Sequence, residues 1–273
     1  MKETINSQGF FEHLKELRTR ILKSFLGIFI CFVPLIYFSN PIYIFVSKPL
    51  QVFLPESSTM IATEVASPFL TPIKLTFFVS LLISTPYILY QVWGFISPGM
   101  YRHEKIFAYG ILFSSVILFY LGIIFTYYVV FPLMFGFFTS TAPEGISIMT
   151  DIGSYLDFIL IIFLAFSFSF EVPIFIVLLT WAGITTPENL SSNRPYIIIG
   201  CFILGMLLTP PDVISQSLLA LPTWILFEVG ILLSKLIQKK KKLNLSFLIS
   251  VLFKISSFVY LFLNLPSPNF LSR

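Results

Sequence analysis

The sequence predicts an all-α polytopic membrane protein with six transmembrane helices, and three observations lead to that class. Of its 273 residues, 56% are hydrophobic and only 11% are charged, which is too little charge to cover a soluble surface. Apolar residues recur in blocks of about 18 or more, long enough to cross a hydrocarbon core of about 30 Å as helices. Basic residues stand at the ends of these blocks. Helices are expected because lipid offers the backbone polar groups no other partners.

The charge and cysteine contents argue against several other classes of protein. A net charge of +4 can indicate a nucleic-acid partner, but basic residues beside apolar blocks are typical of topology signals or anionic-lipid contacts. We therefore expect membrane lipids, and no nucleic acid, as partners. Cys31 and Cys201 lie inside apolar blocks and predict neither a disulfide framework nor a zinc site. The sequence lacks the motifs of hydrolases, metalloenzymes and nucleotide-binding proteins, so we expect no enzyme, no metal and no cofactor.

Residues 1–20 predict an amphipathic N-terminal helix on the cytoplasmic side. The apolar residues Phe10, Phe11, Leu14 and Leu17 recur at helical spacing, and charged residues fall largely between them. We expect this helix to lie along the membrane interface and to lead into the first span. Its glutamates, and the lack of an apolar core before the first long block, argue against a cleavable signal peptide.

A core of six spans is predicted within residues 21–242. The spans cover residues 21–38, 72–92, 107–131, 155–181, 195–208 and 213–233. The fifth is too short to cross about 30 Å at about 1.5 Å per residue, and prolines within or beside other spans predict kinks. These features together predict a concave bundle. Most of the 17 Lys and Arg residues precede the first span or follow the second, fourth and sixth, which predicts that both ends of the core are cytoplasmic.

The C-terminal tail, residues 243–273, is strongly apolar but carries a polar stripe. Ser246, Ser250, Lys254 and Ser257 recur on one narrow face of a helix. An interfacial helix and a seventh crossing both fit this pattern. We favour the interfacial helix because Lys254 would otherwise lie near the middle of a span.

Glu171 is a carboxylic acid near the middle of the fourth predicted span. Placing a charged residue there costs about 2.5–3.5 kcal/mol. Three interpretations remain open: a protonated carboxyl bonded to a neighbouring serine or carbonyl, a docking point for a polar group on a partner helix, or a proton relay.

Two further carboxylates, Glu16 and Glu104, are predicted at the cytoplasmic face. Glu16 can simply pair with Arg20 at i, i+4, and Glu104 can be an ordinary loop charge. Carboxylates also bind guanidinium groups in a bidentate geometry that lysine cannot reproduce. The two together can therefore distinguish an Arg-Arg pair from a Lys-Lys pair. On the opposite side, Asp212 follows two prolines and can cap the sixth span.

Six short motifs, in this order, resemble the TatC family of the twin-arginine protein translocase. They run HLKELRTR at 13–20, KPL at 48–50, SPGMYRHEK at 97–105, VVFPLMFGFF at 129–138, FEVP at 170–173 and LTPPDVISQ at 208–216.

The resemblance implies a core receptor subunit of six helices in the bacterial cytoplasmic membrane. It would recognise the Arg-Arg signal peptides of folded precursors and assemble with single-span partners of the TatA and TatB types, with several copies of the chain in one complex. By resemblance, Glu16, Arg18 and Glu104 fall at the signal-peptide site, and Glu171 and Tyr127 at a partner-helix docking site. Pro49, Asp212 and Gln216 match other functional positions. A secondary transporter with Glu171 as coupling carboxyl is the alternative; an intramembrane hydrolase lacks a nucleophile and base at one depth.

Overall fold

The computed structural model describes residues 2–52, 60–96, 104–141, 149–209 and 212–239, and almost all of these are helical. A 3-10 turn, Ile36–Phe38, joins the first two α-helices, and a π-helical segment, Thr126–Val130, joins the fourth and fifth. The α-helices are α1 (Lys2–Leu35), α2 (Ser39–Gln51), α3 (Ser67–Ile96), α4 (Glu104–Phe125), α5 (Phe131–Ser140), α6 (Ile152–Trp181), α7 (Pro187–Ser192), α8 (Arg194–Leu208) and α9 (Val213–Lys239).

The predicted all-α membrane architecture is confirmed. Within the described ranges, five helical stretches are long and apolar enough to cross a membrane: Glu12–Gln51, Ser67–Phe95, Ala108–Ser140, Ile152–Trp181 and Val213–Ile237. The remaining predicted span, the fifth, is α8, which has only 15 residues, as its sequence predicts. The concavity of the bundle stays a prediction, and the tail over 243–273 lies outside the described residues.

The largest differences between the predicted and the observed helix boundaries are at the start of the first span and at the end of the third. The amphipathic segment and the first span are one uninterrupted helix, α1, because no residue between them disfavours helix. The third span continues beyond its predicted end at residue 131, through the π segment and α5 to Ser140. Pro132 does not end it: this proline lies in the first turn of α5, directly after the π segment, and the helical backbone continues past it.

The chain divides into two compact units, the first of which lies within Met1–Val46 and Glu64–Val116. In it, α1 packs along α3. Gly27 allows the approach, since a Cβ on it would lie 2.7 Å from the ring of Tyr87. The rings of Phe32 and Phe77 meet edge to face at 5.5 Å. The exposed apolar face of α1 suits contact with hydrocarbon.

The second unit lies within Ser47–Thr63 and Ile117–Arg273 and is centred on the packing of α6 against α9. Gly230 of α9 faces Pro173 of α6, where an added Cβ would lie 3.0 Å from the proline Cα. The hydroxyl of Thr223 lies 3.1 Å from that of Ser169 across the same pair of helices. Small residues thus let these two backbones approach, as in other membrane helix pairs.

A short non-helical segment before α6 forms an isolated β-bridge in the second unit. The backbone N–H of Ile61 donates to the carbonyl oxygen of Thr150 at 3.0 Å, and the carbonyl oxygen of Ile61 accepts from the backbone N–H of Ile152 at 2.9 Å. The Asp151 carboxylate caps α6 by accepting from the backbone N–H and hydroxyl of Ser154, and it accepts two more hydrogen bonds from Thr63. These bonds, the backbone N–H of Ser154 foremost, hold the pKa of the Asp151 carboxyl well below its usual range.

The contact between α4 and α6 can be tested at Gly122 of α4. A Cβ there would lie 3.0 Å from the carbonyl oxygen of Phe166 and 3.0 Å from the Cα of Ser167. We expect Gly122→Leu to destabilise the protein by about 1–3 kcal/mol, the usual cost of overpacking, and to lower the midpoint of thermal unfolding in detergent. Gly200→Leu is the matched control, because a Cβ at Gly200 meets nothing within 4 Å. Equal midpoints for the two variants would contradict the close crossing of α4 and α6.

Candidate functional site

The first candidate site lies where α1 passes the end of α3 in the first unit. The Glu16 carboxylate accepts two hydrogen bonds from the Arg20 guanidinium, both at Oε1: 2.9 Å from Nε and 2.7 Å from Nη2. The side chains are 33% and 25% exposed, so the pair is reachable from outside. The i, i+4 pair that the sequence predicts is therefore present.

Arg20 also reaches helix α3. Its Nη1 donates to Oε1 of the buried Gln91 over 3.4 Å, and a Cβ on Gly94 would overlap the guanidinium. Two turns earlier on α1, the His13 ring stacks on Phe95 with 4.1 Å between the ring centroids. The site is thus built from two helices, with a hydrogen bond and an aromatic contact between them.

The second oxygen of Glu16 gives the site its capacity to bind. Oε2 lies 3.9 Å from Nδ1 of His13, which is too far for a hydrogen bond. A carboxylate offers about four lone-pair sites, so Glu16 can accept from a further cationic donor while it keeps Arg20. The neighbouring Arg18 is exposed. Glu104 is the first residue of α4, and its side chain lies outside the described part of the chain.

The second candidate site, in the second unit, involves Glu171 and Tyr127. Glu171 is half-buried on α6 and follows the buried Phe170. Tyr127 is half-buried in the π segment, and Phe125, just before this segment, contacts the rings of Phe166 and Phe170 at 5.7 and 5.5 Å. The structure therefore brings the two predicted docking residues onto neighbouring helical segments. π-helical turns of this kind are frequent at functional sites.

Asp212 and Gln216 shape the start of α9. The predicted cap is confirmed, because Asp212 Oδ1 accepts from the backbone N–H of Ser215 at 2.7 Å. Gln216 has a partner that the sequence does not predict: its Nε2 donates to the carbonyl of Phe202 on α8, at 2.8 Å. Gly205 lies under the same side chain, and its Cβ would be 3.0 Å from the Gln216 Cγ. Gln216 therefore ties the short α8 to α9.

Pro49 is buried within α2 and takes part in none of the hydrogen bonds given above for the two candidate sites. On the same helix, Gln51 donates to the hydroxyl of the fully buried Ser47 at 2.9 Å. The surroundings of Pro49 favour a packing role for this residue. No group of three or more His, Cys, Asp or Glu side chains within the described residues could hold a metal ion.

The ion pair between Arg194 and Glu228 is not predicted by the sequence. Arg194, at the start of α8, donates from Nε and Nη2 to the two carboxylate oxygens of Glu228 on α9, at 2.6 and 2.7 Å. This is the bidentate geometry that distinguishes arginine from lysine. The two residues are 34 positions apart, so helical spacing gives no signal of their contact. The sequence offers one indication of the pair: each residue is a single charge near the end of an apolar block.

Comparisons with known proteins agree on one family. The profile of the family described as Sec-independent protein translocase protein (TatC) matches residues 12–222. The Sec-independent protein translocase protein TatC of Haemophilus influenzae is 57% identical over 240 residues, which cover 88% of this chain and 94% of that protein. The protein of the same name from Escherichia coli K12 is 56% identical over 84% of this chain and 89% of its own length. A crystal structure of the twin arginine translocase receptor TatC matches with a TM-score of 0.72 and 35% identity over 82% of this chain and 98% of that one.

The Asp212 cap is open to a direct test. We expect Asp212→Ala to destabilise the protein by about 0.5–2 kcal/mol, because it removes the acceptor for the Ser215 backbone N–H. Asp212→Asn should behave like the unmodified chain in the same thermal unfolding measurement, since asparagine caps as well as aspartate. If the asparagine variant unfolds as early as the alanine variant, the negative charge has a role besides capping.

Proposed function

The chain belongs to the TatC family of Sec-independent protein translocase proteins, and from this premise we propose that it recognises the Arg-Arg signal peptides of precursor proteins and assembles with single-span partners of the TatA and TatB types. As a twin-arginine translocase receptor subunit it is a membrane protein of the bacterial inner membrane and a transport component rather than an enzyme. The signal peptide, the partners and the orientation of the N-terminus in the cytoplasm are the parts of the proposal that go beyond the family.

The geometry of Glu16 carries the proposal for the signal peptide. Its carboxylate is held at one oxygen by Arg20, and its second oxygen makes no hydrogen bond within the described residues. A guanidinium group approaching from outside can therefore bind Oε2 without displacing Arg20. Glu104 lies within the motif at 97–105, which is predicted to be cytoplasmic, and we propose that its carboxylate receives the other arginine of the pair.

The discrimination of Arg-Arg from Lys-Lys follows from the shape of the two cations. A guanidinium presents five N–H donors in a planar fork, whereas an ammonium presents a compact charge with three donors. One carboxylate oxygen can accept two N–H groups of the same fork, as Oε1 of Glu16 accepts from Nε and Nη2 of Arg20. Lysine retains the charge and loses this second bond, which accounts for selectivity without any pocket.

We propose that the partner helices dock on the second unit near Glu171 and Tyr127. The two residues lie on neighbouring segments, both half-buried, within helices that are otherwise strongly apolar. A polar group on a partner helix would find in Glu171 a hydrogen-bonding group inside the hydrocarbon layer, where such contacts define the orientation of helix pairs. This supports docking as the role of Glu171 in the proposed function.

Signal recognition predicts a specific crosslinking result. A crosslinking probe placed beside Glu16 or Glu104 in membranes should capture an Arg-Arg precursor and not a Lys-Lys precursor. Glu104→Ala and Glu16→Ala should each reduce capture about ten- to a hundredfold, since hydrogen bonds to charged groups contribute about 1.5–3 kcal/mol.

The matched control is Glu12→Ala. Glu12 is an exposed carboxylate on the same helix, one residue before His13, and its removal changes the net charge equally. Capture should be unchanged in this variant. Equal labelling by Arg-Arg and Lys-Lys precursors, or no labelling by either, would reject the proposed recognition.

Partner docking predicts a separable defect. Glu171→Ala should weaken recovery of the TatA- and TatB-type partners in a pull-down and leave Arg-Arg crosslinking intact, because Glu171 and Glu16 belong to different compact units. Glu171→Gln should retain most of the assembly if the carboxyl acts as a hydrogen-bonding group, and lose it if an ionisable carboxyl is required. Normal recovery of partners by the alanine variant would refute the docking role.

A further inference from the structure

The Arg20 guanidinium links Glu16 to the neighbouring helix α3. Two of its nitrogens bind Oε1 of Glu16 at 2.9 and 2.7 Å, and its third nitrogen donates to Gln91 at 3.4 Å. Gln91 is only 6% exposed, so the far end of this link is fixed within the packed interface. The near end is the carboxylate that the proposed function assigns to the signal peptide.

Gly94 provides the space that the guanidinium occupies. A Cβ on Gly94 would overlap Nη1 of Arg20 and lie 2.9 Å from its Cζ. Glycine inside a helix is less favourable than alanine, so a reason for its presence is needed. The reason is local, since the atoms nearest to the missing Cβ all belong to Arg20.

We infer that Arg20 is a positioning residue for signal-peptide recognition. Its guanidinium is held in place by the hydrogen bond to Gln91 and by the space beside Gly94. The inference rests on the proposed function, in which Glu16 accepts a signal-peptide arginine. Arg20 holds one carboxylate oxygen and so fixes the direction in which the other oxygen points. An acceptor that is already ordered loses less conformational entropy when its ligand binds.

The hydrogen-bond pattern favours positioning over competition for the carboxylate. A competing internal arginine would occupy both oxygens in the bidentate pair that Arg194 and Glu228 form in the second unit. Arg20 instead places two of its donors, Nε and Nη2, on Oε1, and in the part of the chain that the structure describes Oε2 accepts no hydrogen bond and lies 3.9 Å from Nδ1 of His13. Arg20 therefore orients the carboxylate and leaves half of its acceptor capacity available.

The experiment measures binding of an Arg-Arg and a Lys-Lys signal peptide to the full chain in membranes, by half-saturation of crosslinking. Arg20→Gln and Gly94→Ala should each weaken Arg-Arg binding about tenfold, while the weak Lys-Lys binding stays the same. Gly94→Ala is the more informative variant, because a methyl group there need only displace the end of a flexible side chain. Arg20→Lys should not restore binding, since one nitrogen cannot contact both Glu16 and Gln91.

Two controls separate positioning from general damage. Lys23→Gln removes a charge from the same helix at an exposed site, and Gly27→Ala crowds the same pair of helices at Tyr87. Neither should change the ratio of Arg-Arg to Lys-Lys binding. Tighter Arg-Arg binding by Arg20→Gln would show that Arg20 competes with the signal peptide for Glu16. Unchanged binding by Gly94→Ala would show that the position of the Arg20 guanidinium beside Gly94 does not matter. Either result overturns the inference. Failure of the unmodified chain to prefer Arg-Arg would instead reject the proposed function itself.

Discussion

A polar group in hydrocarbon must find its hydrogen bond within the protein, and this constraint organises the whole chain. The backbone meets it by forming helices. Five buried hydroxyls meet it within their own helix, by donating to the carbonyl oxygen one turn earlier: those of Thr76, Ser84, Ser114, Thr126 and Thr180. Serine and threonine can therefore line helix contacts at little cost, and they permit approaches such as that between Ser169 and Thr223.

Carboxylates cannot satisfy themselves in this way, so their positions are more informative. Asp151 accepts from four donors at the start of α6, and Asp212 caps α9. Glu228 forms a two-point ion pair with Arg194, which joins the beginning of α8 to α9. At the other end of α8, Gln216 holds the carbonyl of Phe202. A helix of 15 residues, too short to be fixed by lipid alone, is thereby fastened to α9 at two places.

The sequence predicts those features that depend on composition and spacing along one helix. The apolar blocks place the six spans, and the i, i+4 pair of Glu16 with Arg20 and the Asp212 cap are both local. Features that depend on contacts between helices were missed: the Arg194–Glu228 pair, the Gln216 contact and the seat of Arg20 beside Gly94. The π segment was also missed, because one extra residue in a helical turn changes no apolar pattern. Of the predicted site, local geometry was accessible to the sequence and the surrounding contacts were not.

The same constraint distinguishes Glu16 from three other carboxylates, those of Asp151, Asp212 and Glu228. Asp151 and Glu228 use both oxygens, and the second oxygen of Asp212 is buried. In each of these residues, the carboxylate oxygens either accept hydrogen bonds that stabilise the fold or are buried away from ligands. Within the described residues, Glu16 uses one oxygen for hydrogen bonds and is a third exposed, so a cationic ligand can reach it. The proposed recognition of a guanidinium group requires such a carboxylate: it is held in one orientation by Arg20, and its remaining oxygen can accept from a ligand without breaking a contact that stabilises the fold.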